Sequence, residues 1–130
     1  MRWEEVFAVF VLCHLAGDYL LQTDWQARNK HCGLSGDPVA RRALLTHIAT
    51  YTLAFVPALA WLWDDIGAGA LLAAAAIALP HLVQDDGRAI YAYLRRVKGC
   101  DPVSEPLVAA AVDQTFHLLA LFAVALVVAG

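Results

Sequence analysis

The chain has 130 residues, of which 61% are hydrophobic and 16% are charged, and its formal net charge is −3. Soluble domains carry about 25% charged residues, and a chain this short has too much surface for so apolar a sequence to stay dispersed in water. Composition therefore argues against an ordinary soluble protein, and the length predicts a single domain over residues 1–130.

Four apolar segments reach the roughly 20 residues that a helix needs to cross a bilayer. They cover about residues 6–22, 43–63, 66–87 and 107–128. The sequence therefore predicts an all-α fold, a bundle of four transmembrane helices. Arg2 precedes the first apolar run as in a secretory signal, but no small-residue cleavage site follows, so we expect this helix to be retained.

Details at the helix ends and at two prolines can also be predicted. The first helix is expected to continue to Asn29, and the third to continue as a polar helix toward Val97. Pro57 and Pro80 fall inside the second and third segments, where a missing backbone hydrogen bond opens a kink. At Pro80 the kink either serves packing or turns His81 inward.

The basic residues indicate the orientation. Apart from Arg2, they form two groups that fall on the same side of a four-span bundle: Arg28, Lys30, Arg41 and Arg42, then Arg88, Arg95, Arg96 and Lys98. The connection on the opposite side is acidic, with Asp64 and Asp65. The positive-inside rule then predicts cytoplasmic loops at 24–42 and 87–105, with both termini outside.

Histidines and aspartates interrupt every apolar segment. Many lie four residues apart, a spacing that points both side chains to the same face of a helix. With alternating helix directions, all of them fall in the cytoplasmic half of the bilayer. The set predicted to bind metal is His14, Asp18, His47, His81, Asp85, Asp113 and His117.

A metal ion explains this cluster better than isolated charges do. A charged side chain deep in a membrane costs about 2.5–3.5 kcal/mol or more, and the spans contain no lysine or arginine to neutralise the carboxylates. Imidazole with carboxylate suits a divalent transition metal, so we expect one or two ions of Zn, Mn or Fe. Gln22 and Gln114 are assigned to cofactor binding, as donors behind the ligands or as substrate contacts.

The same residues carry a family resemblance. The stretch His14-Leu-Ala-Gly-Asp18-Tyr-Leu-Leu-Gln22-Thr-Asp24-Trp25, with later motifs around His47, His81 and His117, resembles a bacterial family of small integral membrane proteins of unknown function, family 3307. A more distant similarity is to predicted membrane-bound metal-dependent hydrolases. The resemblance implies a bacterial inner-membrane location, and it requires Asp85 but not Asp86.

The leading functional hypothesis is a membrane-embedded metal-dependent hydrolase whose site opens to the cytoplasm. The candidate catalytic bases are Asp18, Asp85 and Asp113. A divalent-cation or proton transporter or sensor, and a structural membrane module with a polar core, are the alternatives. We expect the bilayer as a partner, a lipid-linked or amphipathic substrate near Arg88, Arg95 and Arg96, no nucleic acid, and leave a homodimer open.

Overall fold

The helical content agrees with the predicted fold class. The computed structural model describes residues 1–130 and contains seven α-helices and no β-strand, which confirms the all-α prediction. The helices are α1 (Trp3–Leu15), α2 (Asp24–Asn29), α3 (Pro38–Ala54), α4 (Val56–Ile66), α5 (Gly69–Asp86), α6 (Arg88–Arg96) and α7 (Pro106–Ala129). A π-helical turn follows α1 at Ala16–Leu21, and a 3₁₀ turn precedes α3 at Gly33–Ser35.

The longer helices pack side by side. Helix α7 packs against both α1 and α5, and α3 packs against α5. The short helices α2 and α6 pack on α3 and on the α5–α7 pair, respectively. The backbone N–H of Cys32 donates to the carbonyl of Asp86 at 2.9 Å, which joins the segment after α2 to the end of α5.

Many large apolar side chains lie on the surface of the bundle. Only 27 of 130 residues are buried, and these include four histidines and two aspartates. Large apolar side chains point outward instead, with Leu20 81% and Leu107 85% exposed. A compact apolar core lies toward the α4 end of the bundle: Val6, Phe10, Tyr51, Phe55, Ala58, Leu62, Ile77, Leu121 and Ala125.

The predicted set of four membrane spans is not confirmed by helix length and composition. One helix, α7, is long and apolar enough to cross a membrane by itself. Helices α3 and α4 qualify as a second span if they are taken together across a 54° bend. Helix α1 has only 13 residues because the π-helical turn follows it, and α5 ends in a polar segment. Four spans therefore stay a prediction.

Two predicted helix extensions end earlier than expected. The backbone becomes extended at Gln22, with ψ 124°, and Thr23 then opens α2 with a capping box in which it exchanges hydrogen bonds with Gln26. The third helix ends at Gly87, whose φ of 80° is left-handed. The His31 ring also occupies the space that a Cβ of residue 87 would need.

The two internal prolines have different effects. The bend between α3 and α4 falls at Phe55, two residues before Pro57, as expected where a proline removes a helical hydrogen bond. Helix α5 instead continues through Pro80 to Asp86. Pro80 therefore does not divide the helix that carries His81.

Candidate metal centre

Four side chains from three segments bring one ligand atom each to a common point. Asp18 comes from the π-helical turn, His47 from α3, and His81 and Asp85 from α5. Their side chains are at most 6% exposed. Buried histidines and carboxylates at such close range are the donor set that divalent transition metals prefer.

Five of the distances among these four atoms, 2.8–3.4 Å, are close to those around a tetrahedral ion. His47 Nε2 lies 3.2 Å from His81 Nε2 and 3.3 Å from Asp18 Oδ1. His81 Nε2 lies 3.4 Å from Asp18 Oδ1 and 3.3 Å from Asp85 Oδ2. The shortest distance, 2.8 Å, joins His47 Nε2 to Asp85 Oδ2. A tetrahedral ion with bonds of about 2.0–2.1 Å separates its ligand atoms by about 3.3–3.4 Å.

A second group of ligand atoms shares Asp85 with the first. Asp85 Oδ1 lies 3.3 Å from His117 Nε2, and Asp113 completes this group. His117 Nδ1 donates to the backbone carbonyl of Asp113 at 2.8 Å, so its Nε2 lone pair is directed toward Asp85. Asp85 thus presents one oxygen to each group, as a bridging carboxylate does.

Several buried polar atoms at the centre have no hydrogen-bond partner. Among them are Asp18 Oδ1 from the first ligand group and His117 Nε2 from the second. The Nδ1 atoms of His47 and His81 also have no partner. Buried polar atoms in proteins are normally hydrogen-bonded. The two acceptor atoms, Asp18 Oδ1 and His117 Nε2, are therefore well suited to binding a cation.

His14 lies beside the centre with both ring nitrogens engaged. Its Nε2 donates to Gln114 Oε1 at 2.8 Å, so its Nδ1 accepts from the Tyr51 hydroxyl at 3.1 Å. The amide nitrogen of Gln114 lies 3.5 Å from Asp18 Oδ2 and 3.4 Å from Asp113 Oδ2. His14 and Gln114 thus support the carboxylates from behind, and ligation by His14 itself stays a prediction.

Lys30 supplies a cation that sequence reasoning did not place at the site. Its Nζ donates to Asp85 Oδ2 and to Gln22 Oε1, both at 2.7 Å. The lysine follows α2 outside the predicted spans and extends back over the cluster, with 18% of its side chain exposed. Its position just beyond the first apolar run was the available signal, because a long lysine side chain can reach some distance along a helix bundle.

The π-helical turn and an aromatic ring fix the geometry of two ligands. Gly17 lies so close to Tyr51 that a Cβ there would stand 2.6 Å from Tyr51 Cδ2, and this contact holds the turn that carries Asp18. The Tyr51 ring also stacks on the His81 ring, with the ring centroids 3.4 Å apart. The positions of Asp18 and His81 therefore both depend on Tyr51.

Comparison with known families gives one match. A family model described as a protein of unknown function (DUF3307) covers residues 6–130. The chain belongs to this family. No curated protein and no solved structure matches it. The family resemblance seen in the sequence is thereby confirmed, whereas the membrane character and the likeness to hydrolases stay predictions.

In this DUF3307 chain, the second acid of the pair at 85–86 has a different environment from the first. Asp86 accepts from the backbone N–H of Leu34 at 2.8 Å and from Arg88 Nε at 2.6 Å. The hydrogen bond between Asp86 and Arg88 raises the pKa of the Arg88 guanidinium. Asp86 therefore ties α5 to the loop before α3 and belongs to neither ligand group.

Proposed function

We propose that this protein is a membrane-embedded metal-dependent hydrolase that binds a divalent transition metal through Asp18, His47, His81 and Asp85. The observation that carries the metal site is the convergence of the four ligand atoms, with five of their mutual distances at 2.8–3.4 Å. Two carboxylates and two neutral imidazoles also balance the charge of a divalent ion, which removes the cost of burying unpaired carboxylates.

A second ion position and a base support hydrolytic chemistry. Asp85 directs its other oxygen toward His117, and two-metal sites commonly share a bridging carboxylate. A divalent ion that expands to five-coordination at this four-ligand site would supply an acidified water molecule for attack on a carbonyl or phosphoryl group. Asp113 is the most accessible carboxylate of the cluster, with 30% of its side chain exposed. When only the first ion position is occupied, Asp113 is not a ligand and is the candidate general base, ahead of Asp18 and Asp85.

The outward-facing apolar side chains support a membrane location. Leucines and valines such as Leu72 and Val127 are 75% and 82% exposed, respectively. Large exposed apolar areas are unusual on a soluble monomer. Four tryptophans lie near the ends of the helices with 40–49% of their surface exposed, as interfacial aromatic residues do: Trp3, Trp25, Trp61 and Trp63. We place the loops at 24–42 and 87–105 on the cytoplasmic side.

An enzyme fits the position of the site better than a transporter does. The nine-residue apolar core lies between the metal ligands and the acidic connection at Asp64 and Asp65. The partly exposed Lys30 and Asp113 lie on the opposite side of that core. The cluster therefore opens toward one end of the bundle, which suits a substrate that enters and leaves from one side.

Metal content measured by elemental mass spectrometry on detergent-purified protein tests the metal site. We expect one or two equivalents of a transition metal in the wild type, and loss of the metal in His47→Ala and Asp85→Asn. His31→Ala and Asp65→Asn remove the same groups from exposed positions and are expected to retain it. A wild type that stays metal-free after reconstitution with Zn, Mn and Fe would overturn the proposal and leave a structural or proton-relay cluster.

Hydrolysis is tested separately with the metal-loaded protein and chromogenic esters, amides and phosphoesters. Asp113→Asn is expected to lower kcat by about 10²–10⁴. It is expected to retain the ion bound by Asp18 and His47, because Asp113 is not in that group. Full activity in Asp113→Asn would reject its role as the base. The absence of turnover by the metal-loaded wild type on all three substrate classes would reject the hydrolase.

A further inference from the structure

A basic cleft of about 310 Å³ lies along α6, between that helix and the residues that follow α2. Its charged lining consists of Arg88, Arg95 and Arg96, joined by His31 and Tyr91, and it contains no carboxylate. Three guanidinium groups line one small cleft, and two of them, Arg88 and Arg95, also contact Asp86 and Asp101, respectively. Arginine is the side chain that best matches the geometry of phosphate oxygens.

Contacts around the cleft hold its side chains in place. The Tyr91 ring packs on His31 with centroids 4.6 Å apart, and the Arg95 guanidinium lies 5.8 Å from the centroid of the same ring. Arg88 uses its Nε for Asp86, so its terminal amino groups are not used in that hydrogen bond. Arg95 lies 3.6 Å from Asp101, which is outside the cleft. The cleft is thus partly ordered before any ligand binds.

A second cavity shares Tyr91 with this cleft and has Asp113 of the candidate metal centre in its lining. It has a volume of about 260 Å³, and Tyr91 lines both cavities. Its walls come from α6, the following loop and α7, and they are mostly apolar apart from Asp113. Tyr91 is thus the contact between the second cavity and the basic cleft, and Asp113 is its contact with the candidate metal centre.

We propose that the basic cleft binds the phosphate group of an amphipathic ligand whose remaining part extends along the second cavity toward Asp113. Phosphate binding follows from the cleft alone. The identification of this ligand as the substrate rests on the proposed hydrolase. The phosphate group can belong to a lipid headgroup or to a soluble phosphate compound, and the experiment separates these two sources.

The test uses the full chain in neutral detergent micelles with a metal chelator present, so that a bound metal cannot itself attract phosphate. Binding of a fluorescent phosphatidic acid is measured first, and inorganic phosphate is then titrated both alone and as a competitor. The double variant Arg95→Gln/Arg96→Gln is compared with Arg41→Gln/Arg42→Gln. The control pair removes the same charge from exposed positions on α3.

We expect Arg95→Gln/Arg96→Gln to weaken binding by about tenfold or more, because charge-assisted hydrogen bonds are lost. The control pair is expected to bind as the wild type does. Binding of phosphatidic acid that inorganic phosphate does not displace identifies a lipid headgroup, whereas tight binding of inorganic phosphate alone identifies a soluble compound. Failure of the wild type to bind either probe, or equal weakening in both double variants, would overturn the proposal.

Metal content of the same variants separates the two proposals. Arg95→Gln/Arg96→Gln is expected to retain the wild-type metal stoichiometry, since neither arginine belongs to a ligand group. Loss of phosphate binding with metal retained supports both proposals. Phosphate binding by a wild type that cannot be loaded with metal would reject the hydrolase and leave an anion-binding cleft.

Discussion

At the scale of single residues, Lys30 and a metal ion compete for one atom. The lysine ammonium donates to Asp85 Oδ2, which is also the oxygen that faces His47 and His81. In the metal-free protein this contact offsets part of the negative charge of the buried carboxylates. A divalent ion at the same oxygen would take over that role, so the lysine stabilises the metal-free state in particular.

Replacement of this lysine is expected to have opposite effects on stability and on metal affinity. Lys30→Met should lower the free energy of unfolding of the metal-free protein by about 1.5–3 kcal/mol, the usual contribution of a hydrogen bond to a charged group. Metal affinity should rise by about tenfold, because the competing cation is gone. Thermal unfolding with chelator and competitive metal titration measure the two effects.

Lys98→Met is the matched control, because it removes the same charge from an exposed position outside the cluster. It is expected to leave both quantities unchanged. A fall in metal affinity on Lys30→Met would instead show that the lysine supports the metal-bound state.

At the scale of helical elements, the π-helical turn determines where Asp18 lies. A π-helical turn is rare and is often found at functional sites. Here it follows α1 directly, and Gly17 within it rests against Tyr51 of α3. His47 lies on the same helix as Tyr51, and the close approach brings Asp18 Oδ1 within 3.3 Å of His47 Nε2.

A methyl group at position 17, directly before the ligand Asp18, should therefore disturb the metal centre. In Gly17→Ala the new Cβ would stand 2.6 Å from Tyr51 Cδ2 and 3.3 Å from Tyr51 Cα, so the turn or the ring must move. We expect a loss of stability of about 1–3 kcal/mol and weaker metal binding, measured by thermal unfolding and by metal titration.

Gly69→Ala provides the control for this change. Its Cβ would meet Ile66 at 3.5 Å or more, an ordinary van der Waals distance. Stability and metal binding should both be kept. Wild-type metal affinity in Gly17→Ala would contradict the role assigned to the turn.

The elements also show what the sequence could predict and what it could not. The four-residue separation of His81 and Asp85 predicted that both lie on one face of a helix, and the structure brings them to the same point. Spacing alone could not predict the π-helical turn, because α- and π-helical geometry use the same apolar residues. The break at Gly87 accompanies the left-handed conformation of this glycine, which is a local signal for a helix end. The contact of the His31 ring with Gly87 comes from a distant part of the chain, and no local pattern contains it.

At the scale of the whole molecule, a buried polar cluster lies next to an apolar core, and many large apolar side chains are exposed. The histidines at 14, 47, 81 and 117 are buried, whereas most large apolar side chains on the helix surfaces are exposed. The two basic loops would then lie in water on one side of a bilayer, and Asp64 and Asp65 on the other. The accessibility of loop residues to a membrane-impermeant reagent tests this arrangement.

Single cysteines in a cysteine-free background test the orientation. Ser35→Cys and Ser104→Cys lie in the two basic loops, and Asp65→Cys lies in the acidic connection, all at exposed positions. We expect a membrane-impermeant maleimide to label the first two only in inverted vesicles and the third only in right-side-out vesicles. Labelling of positions 35 and 104 from opposite sides would reject the four-span topology.

The central claim is that two histidines and two aspartates bind one metal ion, and X-ray absorption spectroscopy of the zinc-loaded protein tests it most directly. We expect a four-coordinate shell of nitrogen and oxygen at about 2.0–2.1 Å, with scattering from two imidazole rings. A shell that contains sulfur, or a six-oxygen shell without imidazole scattering, would contradict it.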